Sequence, residues 1–397
     1  MSTALEAKDN PLALARTWLC EEAWPLWSSH GVDHDFGGFF EGLHHDMRPL
    51  PSAEKRTRTT ARQVYCFAQA ALLGFSPAAE VAEQGWNFLL NARRADGRWA
   101  FSLTRDGAIK RSQFSLYEAA FVLLAHSWYF RLNPSSSVVE SAKGLLCAIN
   151  TTLSIPSVPG WISTEDDSKN RDQNSHMHLL EASLDLAEST GEFVFFELAV
   201  EVVDLAISAF FDPETGSLFE FFDGNYKPHA YARSRIEPGH MMEWVWLFEK
   251  AAKILGDDSL VVRARHIYDV AARNGIEKST GLLYDLIDID GLATKHTARI
   301  WPQTEHLKAN IALARSELID HSQDHSVSNI HQIHHHYLSQ SPPGLWYEHS
   351  VWLTSSQNQY SRATSLYHIQ MGFTEFLGQN SLGHQDPLNF VRLRHRP

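Results

Sequence analysis

A short glycine-led pattern recurs along the chain at nearly even spacing, and it restricts the fold more than any other feature. The copies are GFFEGLHHD from Gly38, GRWAFSLTRDG from Gly97, GWISTEDD from Gly160, GSLFEFFDGNY from Gly216, GLLYDLIDIDG from Gly281 and GLWYEHS from Gly344. Successive glycines are 59, 63, 56, 65 and 63 residues apart. Regular self-similarity on this length scale means a protein built from one repeated supersecondary unit. Each copy reads as a hairpin-like loop with short strands, because the glycine is followed by aromatic or aliphatic residues and then by acidic and turn residues.

Between the loops the apolar periodicity is helical. Arg58–Gly74 places Ala61, Val64, Tyr65, Ala68 and Leu72 on one stripe, and His240–Gly256 does the same with Trp244, Phe248, Ala251, Ala252 and Leu255. Each stops at a glycine suited to a left-handed helix end. Similar patterns over 11–28, 77–93, 112–130, 136–152, 173–190, 193–210, 258–274, 299–317, 321–338 and 359–378 complete about twelve helices, two per repeat. An open stack of helix pairs needs polar caps at both ends. Here the first helix carries Trp18, Trp24 and Trp27, and the last carries Leu366, Tyr367, Phe373 and Phe376. Both ends want cover, so the chain is predicted to close into an all-α (α/α)6 barrel with short β-hairpin loops at one end. No linker-like stretch interrupts it, so residues 1–397 are expected to form one domain despite a length that suggests two or three.

Composition narrows the function. The formal charge of −13 disfavours a phosphate backbone as partner, so no nucleic acid is expected. Cys20, Cys66 and Cys147 show no metal or disulfide spacing. No signal peptide and no long apolar span is recognised, which predicts a cytoplasmic protein without a membrane partner. A homo-oligomer is left open. The chain has 22 histidines, 12 tryptophans and 11 tyrosines, residues suited to proton transfer and to stacking on ring-shaped ligands.

Reactive or polar residues fall 16–24 positions after each glycine: Arg62, Tyr117, His176, His240, Trp301 and His368. In a ring of equivalent helices, similar offsets mean similar height, so these side chains are predicted to gather at one mouth, beside helix N-termini. His176 and His178 lie about 200° apart on a helix, so one faces inward and the other packs or meets solvent. The repeat offset favours His176. His240 and Glu243 share a face, a pairing that raises and orients an imidazole. Trp301 and Glu305 also share a face, and an aromatic ring beside a carboxylate suits a sugar. Trp346 repeats that chemistry in a loop, with a core role as the alternative. The histidine runs His44–His45 and His331–His336 are at the wrong offset for the mouth and read as solvated faces. No metal-binding or nucleotide-binding motif is present, so neither metal nor cofactor is expected.

The segments TARQVY (Thr60–Tyr65), NSHMHLLEA (Asn174–Ala182), EPGHMMEW (Glu237–Trp244), WPQTE (Trp301–Glu305) and LYHI (Leu366–Ile369) together resemble the N-acylglucosamine 2-epimerase superfamily. The resemblance implies an (α/α)6 barrel acting on a free monosaccharide. It implies catalytic roles for Arg62, His176, His240, Glu243 and His368, with His240 and His368 as the acid/base pair. Asn174, Trp301, Glu305 and Trp346 fall in or beside its substrate-contacting segments. Among its members, those interconverting D-mannose and D-fructose match best, and the expected chemistry is a cofactor-independent proton shift through a cis-enediol. A sugar 2-epimerase or sulfoquinovose-type isomerase is the near alternative. An inverting glycoside hydrolase using Glu243 and Glu305, or a non-catalytic sugar-binding toroid, is the distant one.

Overall fold

The computed structural model describes residues 10–316 apart from 53 and 168, then 325–350 and 359–381. The predicted helix over 321–338 begins partly outside the described residues; its described part is Ser326–Leu338.

Among the described residues, twelve helical elements alternate between an outer and an inner layer. In chain order they are α1 (Pro11–Thr17, continuing through a π-turn Trp18–Ala23 into Trp24–His30), α2 (Thr57–Leu72), α3 (Ala78–Leu89), α4 (Leu116–Leu132), α5 (Ser136–Thr152) and α6 (Gln173–Thr190). They go on with α7 (Phe193–Leu205), α8 (Pro238–Leu255), α9 (Ser259–Gly275), α10 (Ile300–Arg315), α11 (Ser326–Ile333, then a π-turn His334–Leu338) and α12 (Ala363–Ser381). The even-numbered helices form the inner layer. Each packs on the next even-numbered one, and α12 returns to α2, so the ring is closed.

Inner helices are walled on both flanks and behind. α2, α6, α8 and α10 are therefore buried nearly all round, polar residues included. Those polar residues need partners within the protein, and the barrel axis supplies them. Outer helices show the ordinary amphipathic pattern. In α9 only Leu260, Ala264, Ile267, Ala271 and Gly275 are buried, at helical spacing.

The six repeat glycines all adopt left-handed backbone, with φ between 69° and 83°. A side chain would be strained there, which explains why the same residue marks every loop. The loops carry short strands at the end where the inner helices begin. Strand β1 (Gly42–His44) pairs antiparallel with β7 (Tyr360–Arg362), Leu43 opposite Ser361, and so joins the first repeat to the last. β2 (Lys55–Arg56), β3 (Ser102–Leu103) and β4 (Ile109–Arg111) link the first two loops in one sheet. β5 (Asn170–Asp172) and β6 (Phe221–Asp223) link the third and fourth.

The cover predicted for both chain ends is mutual. Trp27 stacks on Trp346 at 5.2 Å between ring centres and donates its indole N–H to the carbonyl of Gly344. Trp18 meets Phe373 edge-on, and Trp24 donates to Gln370. Among the described residues no helix is long and apolar enough to cross a membrane.

Candidate functional site

All six inner helices start at the same end of the ring, so residues in their first two turns converge there. α2 contributes Arg62, α4 Tyr117, α6 Asn174 and His178, α8 His240 and Glu243, α10 Trp301, and α12 Tyr367 and His368. The contacts run continuously round the axis. The Arg62 guanidinium lies 3.9 Å over the Phe121 ring and donates to the Tyr117 hydroxyl at 3.0 Å. His178 packs on Phe121 at 4.4 Å. Tyr367 touches both Arg62 and His368. Trp301 stands between the two histidines named from the sequence, 4.9 Å from the His240 ring and 5.6 Å from that of His368.

Each inward imidazole is held by a carboxylate behind it. His178 Nδ1 is 3.0 Å from Glu181, which also accepts from the Tyr367 hydroxyl. His368 Nδ1 is 2.8 Å from Glu305. His240 Nδ1 is 2.9 Å from one oxygen of Glu220 and 3.1 Å from the other. A carboxylate that accepts the Nδ1 proton fixes the ring and leaves Nε2 as the exchanging nitrogen.

The surroundings drive the histidines to opposite charge states. Burial alone would lower His240, but Glu220 and then Glu237 outweigh it and lift it to about 9. Burial lowers His368 well below the ordinary range, and the cationic Arg62 and Lys308 push the same way. Lys308 is responsible for a further asymmetry. Its ammonium sits 2.6 Å from the second oxygen of Glu305 and 3.9 Å from the Trp246 ring, so the negative charge beside His368 is already matched. His178 is lowered to about 4, chiefly by burial. Glu243 is raised well above its ordinary carboxylate value by burial and by the nearby Glu305.

Several expectations need correction. His176 is not brought to the group. Its Nδ1 meets the Asp172 carbonyl at 2.7 Å, its Nε2 accepts from the Trp161 backbone, and Trp161, Phe210 and Tyr226 surround it. It is a satisfied core histidine, and His178 takes the inward place. Glu243 does not orient His240; Glu220 does, from the loop before α8. Both Glu243 oxygens lack a hydrogen-bond partner among the described residues, and one lies 3.8 Å from His178 Nδ1. Glu305 is fully buried behind His368 rather than facing a ligand. Trp346 is core: fully buried, it donates to Glu348 and stacks on Trp27.

Glu181, Glu220, Lys308 and Tyr367 escaped the sequence reading as site residues, and His178 is the histidine that the repeat offset set aside in favour of His176. Three signals were available: Asn174 and His178 share a helix face at i,i+4, His178 and Glu181 are an i,i+3 pair, and so are Glu305 and Lys308. Tyr367 and Glu220 had none of this kind, and Glu220 reaches His240 across a loop.

The donor atoms of Glu243, Glu305 and His368 lie within 4.8 Å of one another, as do those of His178, Glu181 and Glu243, and of Glu220, Glu237 and His240. A cation in the first group would have to compete with Lys308 for Glu305 and with the Glu305–His368 bond. The same spacing is too short for the roughly 6.5–9.5 Å that an inverting glycosidase needs between its carboxyls.

The chain is similar to known proteins throughout this region. The model of the N-acylglucosamine 2-epimerase (GlcNAc 2-epimerase) family matches residues 38–372. A mannose-6-phosphate isomerase of Rhizobium meliloti (strain 1021) is 33% identical over 307 residues, 75% of this chain and 78% of that protein. A D-mannose isomerase of Thermobifida fusca is 25% identical over 379 residues, 84% of this chain and 90% of that protein. A crystal structure of D-mannose isomerase superposes with a TM-score of 0.82 at 18% identity, over 93% of this chain and 98% of that one. With its closed ring of six helix pairs and a family match spanning all the inner helices to α12, the chain belongs to the N-acylglucosamine 2-epimerase family of sugar isomerases and epimerases.

Proposed function

We propose that the protein interconverts D-mannose and D-fructose by moving a proton between C2 and C1 of the open-chain sugar through a cis-enediol. The observation that carries this reading is the pair of imidazoles flanking Trp301 in opposite charge states. A base that takes the C2 proton must be neutral at working pH, which suits His368. A group that opens the pyranose and gives protons to the sugar oxygens must be charged, which suits His240. Environments that drive two titratable groups apart in this way divide acid from base work. General acid/base catalysis of this kind contributes about 10²–10⁴-fold.

We assign Arg62 to the sugar oxygens: its buried Nε lacks a partner among the described residues, and its charge would offset the negative charge that develops on O1 or O2 of the enediol. The buried Oδ1 of Asn174 is also unpartnered and suits a sugar hydroxyl. The half-buried Trp301 presents a ring for the C–H face of the sugar. The similarity to a D-mannose isomerase and a mannose-6-phosphate isomerase supports a mannose-configured aldose. An epimerase would use the same pair differently, with His240 returning a proton to the opposite face at C2.

Incubating the protein with a panel of aldoses in deuterated water, followed by NMR, tests the reading. Fructose formation with deuterium at C1 is expected from mannose. A C2-inverted aldose in place of the ketose turns the assignment to epimerase. No turnover of any aldose removes both.

A further inference from the structure

Beside the axial site, a second concavity of about 370 Å³ lies where the loops before α2 and α12 meet. Its wall carries four arginines, Arg56, Arg58, Arg111 and Arg362, against two carboxylates, Glu41 and Glu54. That positive excess is a local reversal in a chain whose formal charge is −13. The carboxylates leave donors free. Arg56 is tied to Glu41 and Arg111 to Glu54, both at 2.5 Å, while Arg58 pairs with the buried Glu118 behind the wall.

Arg362 is different. Arg56 and Arg299, which stand immediately before α2 and α10 as Arg362 does before α12, spend their guanidinium groups on their own loop acids, Glu41 and Asp285. The equivalent acid before α12 is Glu348. It is filled instead by neutral donors: the Arg362 backbone N–H, the Ser365 hydroxyl and the Trp346 indole. Among the described residues the Arg362 guanidinium forms no ion pair; it stacks on Tyr360 and donates to that hydroxyl at 3.2 Å.

The pocket joins the axial site through a ladder of cations and rings. Arg62 is 5.8 Å from the Tyr117 ring centre, and Arg58 is 5.5 Å from that same ring and 5.5 Å from Phe101. Arg111 then lies 3.9 Å over Phe101. Arg58 precedes Arg62 by four residues on α2, about 6 Å along the axis. That is comparable with the reach from the carbonyl end of a hexose to a substituent on C6.

We propose that this pocket seats the phosphate of a hexose 6-phosphate whose C1 and C2 lie at His368. The inference rests on the isomerase reading and narrows its substrate class. Guanidinium forks match phosphate oxygens and hold a dianion that the rest of this acidic protein would repel. The phosphate takes no part in the chemistry, since the proton moves only between C2 and C1.

Steady-state isomerisation of mannose and mannose 6-phosphate, with calorimetric binding of mannose 6-phosphate in parallel, tests the proposal on the full chain. Wild-type protein is expected to show kcat/KM at least tenfold higher for mannose 6-phosphate. Arg111→Gln with Arg362→Gln is chosen because both side chains are at the surface and neither pairs with a buried carboxylate. The double variant should cut that preference tenfold or more, mainly through KM. If mannose turns over and its 6-phosphate is no better, or the ratio is unmoved in the variant, the pocket proposal falls and the isomerase reading stands. If neither sugar turns over, the isomerase reading falls, and calorimetry decides the pocket: absent binding, or binding that survives the double substitution, overturns it.

Discussion

His240 and His368 are the same side chain in the first two turns of α8 and α12, one on either side of α10, yet one is charged and the other neutral because different groups face them. Glu220 offers His240 a carboxylate with no competing cation in contact, whereas the carboxylate beside His368 is already bound to Lys308. His240, raised to about 9, is protonated in the fold below that pH. A raised imidazole stabilises the fold fully below its ordinary range, and that stabilisation is lost as pH climbs through about 9. Activity that depends on charged His240 should fall over the same interval. Glu220→Gln removes the lifting charge but not the burial, so the alkaline limb of the kcat/KM profile should move down by roughly 1 pH unit or more. A profile with its alkaline limb in place would show that His240 is not the group titrating. Legibility at this scale was uneven. The offsets from the glycines located Arg62, Tyr117, His240, Trp301 and His368, because height along an inner helix follows from counting. They misplaced His176, because two histidines two residues apart differ by rotation and the offset measures only height. Asn174 at i−4 and Glu181 at i+3 both point to His178. Glu220 could not be found by helix periodicity, since it reaches α8 from a loop.

Elements repeat a single device with one departure. In four repeats an acid stands three or four residues after the loop glycine: Glu41, Glu220, Asp285 and Glu348. In three of them it accepts the backbone N–H of the residue just before the inner helix, Arg56, Arg299 or Arg362, at 2.7–2.8 Å. The carboxylate thus fixes where the helix starts and hence the height of its first turns. Among the described bonds Glu220 makes no such backbone contact and is bound to His240 and Gln173. The repeat that diverges is the one whose loop acid itself holds an inward imidazole. Asp285→Ala should therefore act on stability, leaving the Arg299 backbone N–H and Nε without their acceptor while the guanidinium keeps Glu237, at a cost of about 1–3 kcal/mol. Chemical denaturation measures that loss, and the pH profile should stay where it was. A shift of the alkaline limb in Asp285→Ala as large as that in Glu220→Gln would mean the two acids do the same job. The repeat itself was visible in the sequence, as were the helix patterns and the left-handed ends Gly74 and Gly256, with φ of 98° and 73°. The division into inner and outer helices was not spelled out by periodicity, because a helix buried all round carries no amphipathic stripe to read.

The whole molecule depends on a seam between its first and last repeats. Apolar first and last helices predict closure, and the ring closes through α12 on α2, β1 on β7, and α1 over the last loop. Trp346 was expected to touch substrate; its position at this seam shows why an aromatic in the repeat loop is not by itself a sugar contact. Trp27 and Trp346, both fully buried, stack face to face from opposite ends of the sequence. Truncating either to alanine should cost about 3–5 kcal/mol through lost burial and the cavity left behind. The pair should also be coupled, by about 0.5–1.5 kcal/mol beyond area burial, since the second truncation removes a ring whose partner is already gone. A double-mutant cycle on unfolding free energy reads this directly. Single losses that simply add, to within about 0.3–0.5 kcal/mol, would mean the first helix and last loop are not packed as described. Coupling of the expected size would tie residues 319 positions apart into one cooperative ring. Such closure is what the site requires, because Arg62 on α2 and His368 on α12 are neighbours only if the last inner helix returns to the first.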